Sequence, residues 1–166
     1  AFGELDLAGR VQSSGSFLTA FVKRAQLSIN SARLRELFLS LLDRNTDLYL
    51  NIHQARLCHE DLHGHNILFQ YREGHWYLAT ILDFDKAWAG HHEIDLARLE
   101  FWRGMTSVEF WESYQENCLV DPLYEERRPI YQLLWCFEYA QSTPEHIRDT
   151  KQLCTKLGLI CPEGFD

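Results

Sequence analysis

The chain is 166 residues long, 46% hydrophobic and 24% charged, values of a folded globular domain that exclude a disordered tail. Its net charge of −8 argues against a nucleic-acid binder, since phosphate contacts need a basic surface, and leaves a cationic small-molecule partner open. No apolar run approaches ~18 residues, so no membrane span is expected, and the five scattered cysteines form no Cys-x-x-Cys pair and read as reduced thiols of a cytoplasmic protein.

One domain is expected at this length. No basic-then-apolar leader opens the chain. The chain starts at Ala1 and its one methionine is Met105, which reads as a trimmed chain or a piece of a longer one.

Residues 1–15 are rich in Gly and Ser and read as loop or tail, so the domain proper is expected over 16–166. Phe17 to Leu27 carries apolar residues near helical spacing. Ser31 is a natural N-cap for a helix through Leu42, with Leu34, Leu37, Phe38, Leu41 and Leu42 on one stripe. Asn45-Thr46-Asp47 breaks that helix, and Leu48 to Ala55 is a further helix or an extended piece. Arg56-Leu57-Cys58 leads into a polar loop at 59–66. A hairpin follows: Ile67-Leu68-Phe69, a turn over Tyr71 to His75, then β-formers from Trp76 to Phe84. From Glu93 the pattern is helical, with segments starting at Glu93, covering Ser107 to Cys118 and Glu125 to Tyr139, and running from Pro144 to about Leu157.

The polar loop reads His59-Glu60-Asp61-Leu62-His63-Gly64-His65-Asn66, and Ile81-Leu82-Asp83-Phe84 follows downstream. Phosphoryl transfer asks the protein for charge placed around a migrating phosphoryl group. A loop carboxylate, Asp61, can orient and deprotonate a hydroxyl. Asn66 and Asp83 offer the hard oxygen atoms that magnesium prefers. If the β-run before Asp83 pairs with Ile67–Phe69, Asp83 returns beside Asn66.

The pattern His59-x-Asp61-Leu62-x-x-x-Asn66 fits the catalytic loop of protein kinases. The full stretch resembles more closely the aminoglycoside phosphotransferase and choline kinase group, whose loop commonly reads His-Gly-Asp-Leu-His-x-x-Asn-Ile-Leu. Asp83-Phe84, Gly90 and Asp95-Leu96-Ala97 match that group's second motif, and Gly90-His91-His92-Glu93-Ile94-Asp95-Leu96-Ala97 is also similar to fructosamine kinases of the same superfamily. The resemblance covers roughly residues 55 to 115. It implies an α+β, mainly helical C-terminal lobe of the protein-kinase-like fold with one small β-hairpin. In it the catalytic loop is 59–66, the metal-binding motif 81–85 and the helical substrate region 93–160. It implies ATP (GTP left open) and Mg2+ as cofactors, and a small-molecule hydroxyl as acceptor. Asp61 is then the catalytic Asp. Asn66 and Asp83 hold the magnesium and through it the nucleotide, and His59 and Asp95 brace the loop. The chain departs from the group's pattern at Glu60, where Gly is usual, and at Gly64-His65, where Pro-Gly is usual. It also shows no strand-rich N-lobe with a phosphate-covering loop and paired lysine, so that lobe is expected to be missing and this chain alone to be a poor nucleotide binder.

Two rivals differ in kind. His59, Asp61, His63 and His65, with His75, His91 and His92 nearby, could form a zinc or two-metal hydrolase site. A kinase-like lobe could also bind without turnover. Phe101, Trp102, Phe110, Trp111 and Trp135 read as core residues. The acidic run Glu109, Glu112, Glu116, Asp121, Glu125 and Glu126 reads as a solvated helical face.

Overall fold

The computed structural model describes residues 1–102, 105–140 and 143–162. The last four residues of the expected domain, and Arg103, Gly104, Gln141 and Ser142 within its helical region, lie outside the described residues. The architecture is α+β. In chain order it runs β1 (Gly3–Leu5), β2 (Val11–Ser13), α1 (Phe17–Ser28), α2 (Ala32–Arg44), a short 3-10 helix (Thr46–Tyr49) and β3 (Arg56–Cys58). Then come β4 (Ile67–Arg72), β5 (His75–Ile81), β6 (Trp88–Gly90), α3 (Glu93–Phe101), α4 (Val108–Asn117), α5 (Tyr124–Tyr139) and α6 (Pro144–Lys156).

Helix starts follow local chemistry. The Ser31 and Thr143 side chains accept from Leu34 N–H and His146 N–H, satisfying orphan donors of the first turns, and Pro144 occupies a position whose N–H would be unpaired anyway. The expected helices over 17–27, 31–42, 93 onward, 107–118, 125–139 and 144–157 all form, with ends moved by a residue or two. The 48–55 segment is divided: its start closes the 3-10 helix, and 51–55 has no regular structure.

The first 15 residues are not a tail. β1 and β2 form a hairpin (Gly3 opposite Ser13), and the Asp6 carboxylate caps its turn by accepting from Ala8 and Arg10 N–H. β1 also pairs with β6, and β6 with β3, giving a four-stranded sheet in the order β2-β1-β6-β3. The expectation of one small hairpin is therefore corrected to two small sheets. Three-residue strands carry no readable alternation, and the glycines serve close packing here. A Cβ at Gly3 would sit 2.0 Å from the Gln12 carbonyl oxygen, and one at Gly90 2.6 Å from the Trp88 ring.

The second sheet is the hairpin expected after the polar loop. Glu73 and Gly74 both take positive φ (51° and 85°), as a two-residue type I′ turn requires. Ile67 pairs with Ile81, so the strand stops short of the expected Phe84. Phe69, Tyr71, Trp76, Tyr77 and Leu78 are exposed along it.

The core lies between α1, α2 and α5, capped by the four-stranded sheet. Phe17 is fully buried, with ring contacts to Phe2, Phe21, Tyr49, Trp88, His91 and Tyr131. One ion pair crosses this core. Arg127 of α5 donates from Nε and Nη2 to the two Glu93 carboxylate oxygens of α3, both at 2.7 Å, and from Nη1 to the Leu48 carbonyl at 2.9 Å. No helix among the described residues is long and apolar enough to cross a membrane.

Candidate functional site

The polar loop leaves β3 and is held from below by α3. The Asp95 carboxylate accepts from His59 N–H and Glu60 N–H, each at 2.8 Å. Burial pushes Asp95 above its ordinary value, and these two bonds offset part of the cost. Asp61 N–H donates to His59 Nδ1 at 3.2 Å, which places the ring proton on Nε2. That proton is donated to the Leu82 carbonyl at 2.7 Å, and the Phe84 ring packs against the imidazole, centroids 4.5 Å apart. His59 thus ties the loop to both neighbours of Asp83.

Asn66 completes the connection. Its Nδ2 donates to the Asp61 carbonyl at 2.9 Å, leaving Oδ1 available to a cation. Its own carbonyl accepts from Leu82 N–H at 2.8 Å, where β4 and β5 begin and end. The β-pairing expected from the sequence therefore brings Asp83 back to Asn66. Asp83 is exposed, at φ +64°, with no hydrogen-bond partner for its carboxylate among the described residues. The Asp83 carboxylate, on a left-handed residue one position past the Leu82 N–H bond to Asn66, and the Asn66 amide oxygen are hard-oxygen donors of the kind magnesium takes.

Asp61 is half-buried. Its Oδ1 faces Arg98 Nη2 at 3.4 Å and His63 Nε2 at 3.9 Å, and its Oδ2 has no partner among the described residues. Neither Arg98 nor the network behind it was found from the sequence. Arg98 Nη2 also donates to the Glu60 carbonyl, and the guanidinium lies over the Trp135 and Tyr139 rings at 4.9 and 5.5 Å. The available signal was spacing: Arg98 follows Asp95 by three residues and so shares its helix face.

Glu60 explains the departure from Gly at its position. Its φ of +64° is one that Gly adopts freely and that costs other residues about 1 kcal/mol or more. The side chain is buried against Arg24 of α1, which also pairs with Glu4 at 2.8 Å and donates to the Lys86 carbonyl at 2.9 Å. Burial pushes the Glu60 carboxyl up to about 7, and the Arg24 charge offsets only part of that cost. Because the folded value lies above the ordinary 4.5, this group's contribution to stability is fully present below about 4.5. It is lost as pH rises to about 7. At roughly 1.4 kcal/mol per unit the loss amounts to about 3 kcal/mol. Glu60→Gln should therefore flatten the fall in stability between pH 5 and 8. Urea unfolding of both proteins across that range checks it, and parallel curves would rule it out.

The loop histidines do not gather around a metal. His63 Nδ1 accepts from His65 N–H, and its ring packs edge-on against Trp102, centroids 5.4 Å apart. Among the described residues, the donor atoms that come within 4.8 Å of one another belong to His91, His92 and Glu93, and Glu93 is already engaged by Arg127. The hydrolase arrangement suggested by the sequence is not formed.

The aromatic residues divide. Phe110 and Trp111 pack against the core as expected. Phe101 and Trp135 also pack against the core as expected, and with Trp102, which does not, they line a half-open cavity of about 440 Å³ together with Glu145, His146, Arg148 and Asp149. Trp102 contacts both His63 and Trp135 (5.4 and 5.9 Å), so the cavity adjoins the loop. The acidic run is exposed, with Asp121 additionally 3.2 Å from Arg127.

The family model for fructosamine kinase matches residues 24–157, most of the chain and all of the loop, the hairpin and α3 to α5. No curated protein and no solved structure gave a significant match.

Proposed function

The chain belongs to the fructosamine kinase family, a family of small-molecule phosphotransferases, and on that premise we propose that it forms the C-terminal lobe of a kinase-like enzyme. The reaction is transfer of the ATP γ-phosphoryl group to a hydroxyl of a small, amine-bearing acceptor. A single observation carries the reading: Asp61, Asn66 and Asp83 are joined through the bonds from Asn66 Nδ2 to the Asp61 carbonyl, from Leu82 N–H to the Asn66 carbonyl and from His59 to the Leu82 carbonyl.

In this mechanism Asp61 Oδ2 accepts the hydrogen bond of the acceptor hydroxyl, orients its oxygen and takes its proton. Asn66 Oδ1 and the Asp83 carboxylate are the residues that would hold magnesium. That ion, when bound, neutralises phosphate charge. His59 and Asp95 keep the loop at the geometry in which these groups face one side. The cavity lined by Phe101, Trp102 and Trp135 receives the acceptor, its rings covering a sugar or alkyl face and Glu145 attracting the amine, while Asp149 lies 3.6 Å from Arg148 on the same wall. The five cysteines are free thiols, which suits a reducing, cytoplasmic setting.

The test is ADP release from ATP by the full-length gene product containing these residues, with fructosyl-lysine as acceptor, titrated with magnesium. We expect acceptor-stimulated, magnesium-dependent release. In Asp83→Asn the magnesium needed for half-maximal rate should rise at least about tenfold. No release at any magnesium concentration would defeat the phosphotransferase reading. An unchanged titration in the variant would remove Asp83 from the metal site.

A further inference from the structure

We propose that Arg98 is a positioning residue for Asp61: it ties back one oxygen of that carboxylate and leaves the other aimed at the acceptor. The inference rests on the phosphotransferase reading and goes beyond it, since neither the loop motif nor the metal residues include Arg98.

The geometry begins on α3. Asp95 and Arg98 lie three residues apart and face the loop together. Asp95 takes the backbone N–H groups of His59 and Glu60, while Arg98 gives hydrogen bonds to the next two acceptors, the Glu60 carbonyl and Asp61 Oδ1. One turn of helix thus grips three successive loop residues, its anion on the donors and its cation on the acceptors. Asp61 rotates about two side-chain torsions. Without Arg98 only His63, at 3.9 Å, stands near Oδ1 among the described residues.

Arg98 is itself held on several sides. It is buried, with Trp135 and Tyr139 rings beneath the guanidinium. Glu60 and Glu138 line the space beside it. Burial holds Arg98 below its usual value, and the Glu60 and Asp61 charges restore part of the difference. The left-handed turn at Glu60 is where the loop carbonyl meets the guanidinium. Glu60 stays in that strained conformation through Arg24, whose Nη2 also reaches the Lys86 carbonyl, three residues past Asp83. Arg98 therefore sits where the loop, the acceptor cavity (through Trp135) and the segment after Asp83 meet. A cation so placed fixes a direction for the carboxylate, and misplacement by about 1 Å can cost about 10²-fold in rate.

The experiment is a double-mutant cycle on the full-length protein. ADP release is measured with fructosyl-lysine and with water alone as acceptor. Arg98→Met should lower kcat about 10²-fold while KM for MgATP stays within about twofold, because uniform binding is untouched. Arg98→Lys keeps a cation and should recover at least about tenfold of that loss. In the Asp61→Asn background, Arg98→Met should cause almost no further loss, since a positioning residue has nothing left to position. A merely structural Arg98 would lower the rate by the same factor in both backgrounds, and that result overturns the proposal. Equal kcat in wild type and Arg98→Met also overturns it. Should Arg98→Met unfold, the Arg98→Lys cycle against Asp61→Asn carries the same comparison. A wild-type protein without magnesium-dependent release in either assay overturns the phosphotransferase reading first, and the Arg98 role with it.

Discussion

Asp61→Asn is expected to reduce the turnover of phosphoryl transfer by about 10³-fold, equivalent to about 4 kcal/mol of transition-state stabilisation, while leaving the melting temperature nearly unchanged. The asparagine has the same shape and keeps an oxygen for Arg98 Nη2, so the loop retains its contacts. The fold does not depend on the Asp61 side chain. His59 and Glu60 are held through their backbone by Asp95, and Asn66 is held through the Asp61 carbonyl, not its carboxylate. What disappears is the one group at this position able to take a proton from the acceptor hydroxyl. Orientation by the cavity and by the metal residues remains, which is why the rate falls and does not vanish. Steady-state ADP release with a thermal melt of the same preparation measures both quantities. A variant within a few-fold of wild-type turnover would strip Asp61 of its role, whatever the melt shows.

Arg127→Met is expected to be the most destabilising single change, at about 3–5 kcal/mol, or a drop in melting temperature on the order of 10 °C. Glu93 is completely inaccessible, and Arg127 neutralises it with two hydrogen bonds of 2.7 Å. Burial works against the charge on both partners. On Arg127 the Glu93 hydrogen bonds and charge more than offset it, leaving the guanidinium above its ordinary value. On Glu93 the Arg127 contribution is smaller than the burial cost, leaving the carboxyl above its own. Removing the guanidinium leaves the buried Glu93 carboxyl with the His91 imidazole at 3.5 Å, which burial keeps neutral, and orphans the Leu48 carbonyl. The sign of the pH dependence follows. With Arg127 gone the folded-state value of Glu93 rises further, so its contribution is present at low pH and lost as pH rises. The deficit of the variant is therefore larger at pH 8 than at pH 5. Glu93→Gln added to Arg127→Met removes the charge and should restore a substantial part of the stability at pH 8. Urea unfolding of the three proteins at both pH values provides the check. A loss below about 1 kcal/mol, the scale of an exposed ion pair, would show that the pair is dispensable.

These expectations draw on different amounts of sequence information. The helices were legible because each is signalled within its own few residues: Ser31 before a leucine stripe, Pro144 in a first turn. The loop with Asp61 and Asn66 was legible for the same reason, and the return of Asp83 followed from one local pairing, Ile67 with Ile81. The type I′ turn at Glu73-Gly74 is likewise written in two adjacent residues.

What stayed hidden depends on partners far apart in the chain. The β1–β2 hairpin has strands of three residues, too short to show alternation, and is stabilised through β6, more than eighty residues away. Phe101, Trp102 and Trp135 have the composition of core residues, and only the packing of α3 against α5, and of α5 against α6, makes them line a cavity. Arg24 reaches Glu60 across 36 residues and Arg98 reaches Asp61 across 37. No local propensity encodes such pairs, because an arginine on a helix is equally at home in water. The sequence by itself therefore marked the candidate residues for chemistry and determined which segments are helical. The tertiary structure alone decided which buried charges hold that chemistry in place, since the cost of burying a charge exists only once distant segments have closed around it.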